Sequence, residues 1–386
     1  MLVKGGLVIK SPCESHKKIE TLRDSGARFR ATFENAAVGI ARVAPDGCWL
    51  EVNQRLCDIV GYTRKELMTK TFGDITHPDD LESNWNLARR LLAGEIENYS
   101  MEKRYYRKDG SIVWVNVTVS LARKADGSPD YFVSIIEDIS ARKRLEEANR
   151  KRGALLADVG DALAEHRMSM HGMLQKSAEA LVRHLDAAFA RIWTLNLKES
   201  LLELQASAGM YTHLNGKHSR VPLGELKIGL IAQEREPHLT NDVCNDPRIS
   251  DKEWAREKGM VAFAGYPLLV EDRVVGVMAM FARHPLTEDT AEAIATVAAP
   301  IAQGIERKRA EEALRASEEK FRILADTAPV MIWASDIDKL CTFFNKPWLD
   351  FTGCAMDEGL GYGWMEGVHS EDYDRCLETY NTSCEA

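Results

Sequence analysis

Cysteines, histidines and paired carboxylates are the side chains whose spacing could signal chemistry in this chain. The eight cysteines fall at Cys13, Cys48, Cys57, Cys244, Cys341, Cys354, Cys376 and Cys384. No two form a CxxC pair, so reduced thiols are expected and neither a zinc site nor a disulfide framework is indicated. Among the ten histidines, His166 and His171 stand five residues apart. Two ligands on one helix face need a spacing of four, so no metal site is expected. The adjacent acids Asp79-Asp80 and Glu311-Glu312 read as helix-start or solvated-face charges, not as an acid–base pair. No catalytic residues are assigned.

The bulk numbers agree with a chain that works by folding and contact. Its 386 residues are long enough for two to four domains, and 45% apolar with 28% charged residues is ordinary globular composition. A net charge of −9 argues against a nucleic-acid partner and gives no reason to expect an anionic membrane. The longest uncharged apolar runs, Gly259–Val270 and Ala293–Ile305, fall short of the ~18–20 residues of a spanning helix. Met1–Lys10 is too short an apolar start for a signal peptide, because Glu14, His16, Lys17 and Lys18 follow at once. A soluble, cytoplasmic location is the expectation.

An internal repeat organises the elements. At an offset of 292 residues, Phe29 falls on Phe321, Ala36 on Ala328, Val38 on Val330, Ile40 on Ile332, Asp46 on Asp338, Asn53 on Asn345, Gly61 on Gly353, His77 on His369 and Asp80 on Asp372. A period this long marks a duplicated domain, since solenoid repeats run ~20–50 residues. In the first copy, Val38–Arg42 and Trp49–Val52 read as strands split by the turn Pro45-Asp46-Gly47. Asn53–Val60, Arg64–Met68 and Leu81–Leu92 read as helices. In Ser111–Ser120 the period changes to two, with Val113, Val115, Val117 and Val119 on one face. Asp109-Gly110 before it is a hairpin signal, and Tyr131–Ile136 is a last strand. The first copy is therefore expected to be an antiparallel sheet of five strands with short helices. Residue 386 corresponds to residue 94 of the first copy, so the second is expected to be incomplete, either as a fragment or as a domain closed by another chain.

Between the copies, residues 153–306 read as α+β: a helix over Ala154–Leu185, strands over Phe189–Leu195 and Leu201–Ala206, and a loop-rich stretch with Pro222, Gly224 and Asn245-Asp246-Pro247. A hairpin of Tyr266–Val270 with Val274–Phe281 and a helix over Glu288–Ile305 follow. Residues 1–27 are a tail or helix, 28–140 the first copy, 141–152 and 307–320 amphipathic linker helices, and 321–386 the partial second copy. Leu145, Leu155 and Val159 in the first linker region, and Leu314, Phe321 and Leu324 in the second, recur at helical spacing. They form either the seam of a parallel dimer or a face packed on the chain's own domain. Glu137-Asp138-Ile139-Ser140 joins the last strand of the first copy to the first linker, where Asp138 or Ser140 can cap the helix.

The first copy resembles a PAS domain with its C-terminal PAC segment. The resemblance rests on Ala37-Val38-Gly39-Ile40, Asn53-Gln54, Val60-Gly61-Tyr62-Thr63, His77-Pro78-Asp79-Asp80, Arg107-Lys108-Asp109-Gly110-Ser111 and Glu137-Asp138-Ile139-Ser140. The second copy matches through Asn345, Phe351-Thr352-Gly353 and Val368-His369-Ser370-Glu371-Asp372. The middle region resembles a GAF domain through Gly265-Tyr266-Pro267-Leu268, Val274-Val275-Gly276-Val277 and Leu286-Thr287-Glu288-Asp289. The resemblance implies the sensory input and dimerisation module of a two-component phosphorelay protein, with a histidine kinase output and a response regulator. The input region of a cyclic-dinucleotide enzyme and a chromophore- or haem-binding receptor are the alternatives. No phospho-acceptor histidine in a Ser-His-Glu context, glycine-rich nucleotide box, or GGDEF- or EAL-type stretch is present, so no catalytic domain is expected within the chain.

Such folds can hold prosthetic groups, but the residues that would hold them do not match. Cys57 lies in Arg55-Leu56-Cys57-Asp58 rather than a flavin-reactive motif, and reads as a small packed thiol. Leu81–Leu92 carries no histidine for haem, and His77 reads as a turn or cap residue. Cys244 and Cys13 lack a bilin-linking context. Haem, flavin and bilin are therefore disfavoured, while a non-covalent small ligand in a GAF or PAS pocket is allowed.

Overall fold

A computed structural model describes residues 26–383. The tail expected over 1–27 falls almost wholly outside the described residues, as do Cys13 and Cys384. The chain divides into two compact units between Arg150 and Lys151.

The first unit begins with helix α1 (residues 26–34) and holds strands β1 (Gly39–Val43), β2 (Trp49–Val52), β3 (Asn98–Tyr106), β4 (Ile112–Arg123) and β5 (Pro129–Asp138). They form one antiparallel sheet in the order β2-β1-β5-β4-β3, the five strands expected. Between β2 and β3 run α2 (Gln54–Val60), α3 (Arg64–Leu67), α4 (Phe72–Ile75) and α5 (Pro78–Ala93). Val113, Val115, Val117 and Val119 all face the core, as their period-two spacing requires. At the β1–β2 turn, Gly47 takes φ +93°, and a Cβ there would meet the Trp85 ring at 3.0 Å. α5 starts three residues before the expected Leu81, because His77 caps it and Pro78 is pre-set for a first helical position.

The second unit contains the middle domain. Helix α6 (Ser140–Ala164) enters it, and α7 (Met170–Leu185) is a separate helix. The single helix expected over Ala154–Leu185 is thus broken. Met168 N–H closes a turn on the Glu165 carbonyl, and the Ser169 hydroxyl accepts the Gly172 N–H to start α7 afresh. The strands β6 (Phe189–Asn196), β7 (Leu201–Gly209), β8 (Arg220–Pro222), β9 (His238–Thr240), β10 (Ala262–Val270) and β11 (Arg273–Ala282) form an antiparallel sheet in the order β8-β7-β6-β11-β10-β9. The short helices α8 (Leu226–Glu234) and α9 (Lys252–Glu257) lie between strands. The two hydrophobic clusters of this domain explain its nearly continuous apolar strands. Ala190, Ile192, Met278 and Met280 pack with α6, α7 and the long helix α10 (Glu288–Thr327), while Phe189, Trp193, Phe263 and Val277 pack with α8, α9 and the loops. The sheet is covered on both faces.

α10 runs 40 residues and continues through Pro300, so the boundary expected at 306/307 is no break in the backbone. It leads into a last domain with a two-stranded sheet of β12 (Trp333–Ser335) and β13 (Cys341–Phe344). Helices α11 (Lys346–Thr352), α12 (Met356–Gly359), the 3-10 turn at Gly363–Gly367 and α13 (Tyr373–Ser383) follow, around a small core of Cys341, Phe344 and Tyr380.

The proposed seam residues divide in two. Leu155 is 0% and Val159 1% exposed, whereas Leu145, Leu314, Phe321 and Leu324 are 58%, 62%, 55% and 61% exposed. Leu155 and Val159 belong to the middle-domain core and cannot also form an intermolecular seam. Their dimer assignment is corrected to intradomain packing. α6 lies beside α10 in the same direction: Arg152 pairs with Glu292 at 2.9 Å, and Leu163 abuts Gly304 and accepts from Arg307. Beyond α6, Lys308 Nζ donates to the His166 carbonyl at 2.8 Å.

Candidate functional site

A cavity of about 360 Å³ lies in the middle domain on the side of the sheet away from α10. This is within the size range of small-molecule sites. Register builds it. Phe263, Phe281 and Phe189 are successive cross-strand partners on β10, β11 and β6. Phe189 and Phe281 stack with centroids 5.0 Å apart, and Phe263 meets Phe281 edge-on at 4.9 Å. Two residues along β6, on the same face, stands Arg191. Tyr211 and Trp254 close the side, Trp254 Nε1 donating to Tyr211 Oη at 2.9 Å while the Trp254 ring meets Phe281 edge-on at 5.4 Å. Trp193 Nε1 donates to the His218 carbonyl at 2.9 Å and so fixes the 213–219 loop over the cavity.

Arg191 is the chemically distinctive group. Its Nε donates to Ser207 Oγ at 3.2 Å, and its guanidinium carbon lies 5.5 and 5.6 Å from the Phe189 and Tyr211 ring centroids. Burial pulls its pKa down, with only Tyr211 opposing. His218 is also pulled down, first by burial and then by the charges of Arg191 and Lys217. Of the other lining cations, Lys227 and Arg248 are already paired. Lys227 Nζ donates to Asp246 Oδ2 at 2.9 Å, His238 Nε2 meets the same oxygen at 2.8 Å, and Arg248 pairs with Glu234 at 2.9 Å. Burial pulls Lys227 down to about 8 against the Asp246 hydrogen bond. Burial also works to raise Asp246, but the Lys227 and His238 hydrogen bonds outweigh it and hold the carboxyl at about 2. The pair is ionic at neutral pH. The cavity can bind and orient a molecule; it presents no nucleophile beside a base.

A second polar cluster lies inside the first unit, around a cavity of about 20 Å³, room for about one water. Lys103 of β3 is fully buried there. It donates to Asn84 Oδ1 and, at 3.5 Å, to Thr76 Oγ1, with its ammonium 4.4 Å from the Tyr105 ring centroid. Burial lowers its pKa to about 7, and Asp80 offsets this only in part. Asn84 donates in turn to Tyr99 Oη at 3.1 Å, and Trp49 Nε1 has no partner.

The residues singled out from sequence take these places. Asp138 Oδ1 accepts the Ser140 N–H at 2.9 Å and is held by Arg107 at 3.5 Å, so Asp138 makes the helix-start contact. Ser140 Oγ instead accepts the Trp114 N–H of β4 at 3.2 Å. Ile139 is buried, with its N–H on the Trp114 carbonyl, and Glu137 is exposed opposite Asn116. His77 caps α5, its Nδ1 accepting the Asp79 N–H at 3.3 Å, and His369 accepts the Glu371 N–H in the same way. Asp80 holds Arg104 at 2.8 Å, and Glu311 holds Lys308 at 2.8 Å. Cys57 is buried in the first core, and Cys244 is half-buried in the middle domain's loop. Among the described residues no three His, Cys, Asp or Glu gather as metal ligands, and no helix is long and apolar enough to cross a membrane.

Arg191, Tyr211, Trp254 and Lys103 escaped the sequence reading. The available signal was a lone cation at an inward-facing strand position, in Phe189-Ala190-Arg191-Ile192-Trp193 and in Met101-Glu102-Lys103-Arg104-Tyr105.

Comparison with known proteins agrees with this architecture. A family model described as PAS fold matches residues 50–136, one for the GAF domain matches 167–306, and one for the PAS domain matches 319–383. The chain is 43% identical over 130 residues to the probable diguanylate cyclase DgcE of Escherichia coli K12, a match spanning 34% of this chain and 12% of that protein. It is 34% identical over 141 residues to the sensor histidine kinase TmoS of Ectopseudomonas mendocina, spanning 36% and 14%. It is 24% identical over 324 residues to the methyl sulfide methyltransferase-associated sensor of Methanosarcina acetivorans, spanning 81% and 32%. These matches cover about a third or less of each relative's own length. Asn53 and strands β3 and β4 fall within the first match, the doubly covered six-stranded middle sheet within the second and Asn345 within the third, and the chain is built of a PAS domain, a GAF domain and a second PAS domain, as in PAS/GAF signal-transduction proteins.

Proposed function

We propose that the chain is the cytoplasmic sensory input and dimerisation module of a two-component phosphorelay protein. In this reading it passes ligand- or partner-induced changes through its helices to a histidine kinase output and, through that, to a response regulator. Neither nucleic acid nor a membrane is a partner. The observation that carries the reading is α10, whose first half is locked in the GAF core while Leu314, Phe321 and Leu324 stand exposed further along the same helix. A helix rigid at one end and apolar on its surface at the other suits a paired transmission rod. Identity to a diguanylate cyclase favours a second reading, in which the same module controls a cyclic-dinucleotide enzyme. No cofactor is proposed; a non-covalent ligand in the GAF cavity is the input.

Sedimentation of the full chain tests the proposal. A dimer at micromolar concentration, converted to monomer by Leu314→Glu with Leu324→Glu, is expected. A wild-type chain that stays monomeric at high micromolar concentration refutes it. Grafting the chain before a kinase or a cyclase output and measuring each activity separates the two readings.

A further inference from the structure

We propose that the GAF cavity takes a small organic carboxylate with a flat apolar body, gripped by Arg191. This rests on reading the cavity as the sensory site. The guanidinium has five N–H donors, and the cavity wall engages only Nε, through Ser207. No carboxylate among the described residues lies within ion-pair distance of it. A partly buried charge without a counter-ion is costly, so the site is incomplete without an anion. The Phe189 and Tyr211 rings flank the guanidinium carbon at 5.5 and 5.6 Å, and its remaining donors can form a fork for a planar two-oxygen group.

Charge balance selects a monoanion. Lys227 and Arg248 are neutralised by Asp246 and Glu234. Lys217 is exposed on the 213–219 loop, and the Asp251 carboxylate accepts the Trp254 N–H at 3.0 Å. Among the lining cations that are not exposed, one positive charge is left, that of Arg191. A phosphate dianion would find a single uncommitted cation sheltered from solvent. The body of the ligand meets Phe189, Phe281, Trp254 and Phe263, whose stacked and edge-on rings form an aromatic box suited to a planar apolar group.

Titration calorimetry of the full chain with phenylacetate and benzoate, and with phenylacetamide and benzamide as neutral isosteres, tests the proposal. The carboxylates are expected to bind roughly tenfold or more tightly than the amides. Arg191→Met is expected to erase that difference, and Arg191→Lys to keep part of it. Equal binding of acids and amides to the wild type overturns the carboxylate assignment and leaves the cavity a ligand site. Inorganic phosphate binding more tightly than either acid overturns it too. If none of these probes binds at millimolar concentration, both the assignment and the reading of the cavity as the sensory site fall. The wild-type comparison stands even if a variant fails to fold.

Discussion

Asn53 and Asn345 occupy equivalent points of two separate PAS domains and make the same four hydrogen bonds. Asn53 Nδ2 donates to the Phe33 and Val38 carbonyls at 2.9 and 3.0 Å, and its Oδ1 accepts from Ile40 and Leu56 at 2.9 and 3.0 Å. Asn345 repeats this with Ala325, Val330, Ile332 and Trp348 at 2.8, 2.8, 2.9 and 3.2 Å. One buried amide thus ties the preceding helix, the first strand and the start of the next helix. Asn53→Ala strands several buried backbone groups and is expected to cost on the order of 3 kcal/mol in urea denaturation. Asn345→Ala is expected to expose residues 328–360 to protease while leaving the first domain's protection unchanged.

Lys103 makes the first PAS domain sensitive to pH. Its pKa falls from 10.5 unfolded to about 7 folded, so between those values the unfolded chain binds more protons and stability rises with pH. Tyr99, raised by burial from 10 to about 12, reverses the trend above pH 10, and buried Tyr105 adds to that reversal. Denaturation at several pH values is expected to show first-domain stability climbing between about pH 7 and pH 10, by up to ~1.4 kcal/mol per unit. Lys103→Met is expected to flatten the slope; a wild-type profile already flat over that range contradicts the assignment.

In the GAF domain, Asp246→Asn leaves Lys227 buried without its counter-charge and is expected to destabilise by roughly 3–5 kcal/mol. Joint replacement, Lys227→Met with Asp246→Leu, is expected to recover most of the loss. Because the Asp246 pKa is depressed from 3.8 to about 2, its contribution is present above the unfolded value and lost as pH falls through about 2. Acid titration of the wild type against the double variant measures this.

Gly304 tests the contact between the two linker helices. A Cβ there would lie 2.4 Å from Leu163 Cδ2 and 3.2 Å from Met173 Sδ. Gly304→Val is expected to cost about 1–3 kcal/mol by overpacking, and Leu163→Ala to relieve part of it in a double-mutant cycle.

Asp138→Ala removes the acceptor for the Ser140 N–H and the partner of Arg107. A loss of about 1 kcal/mol is expected in denaturation, with faster hydrogen exchange at residues 140–143. Unchanged exchange there would rule out a role for Asp138 in starting α6.

The sequence was legible where periodicity is local. The valines of β4, the turn at Gly47, the cap at His77 and the 292-residue echo of Asn53 in Asn345 all follow from short spacing or direct repetition. It was not legible where the outcome depends on partners far along the chain. Leu155 and Val159 share the helical spacing of Leu145, and only packing with α7 and α10 separates a core face from an exposed one. The cavity draws Arg191, Tyr211, Trp254 and Phe281 from positions up to 90 residues apart, so no motif links them. The break at Glu165–Met168 escaped because the residues there are not helix breakers; the Ser169 cap decides it.

The parallel placement of α6 and α10 has a mechanical consequence. The helix arriving from the first PAS domain grips α10 from one flank, at Glu292, Gly304 and Arg307, while the aromatic cavity presses on the far face of the sheet on which α10 rests. Two independent loads converge on a single shaft within about four turns of its length. In the proposed sensory role, a twist carried by α6 and a ligand held in the cavity would both act on this shaft. In that role the middle domain is a bearing for the shaft, and a ligand in the cavity would set its friction.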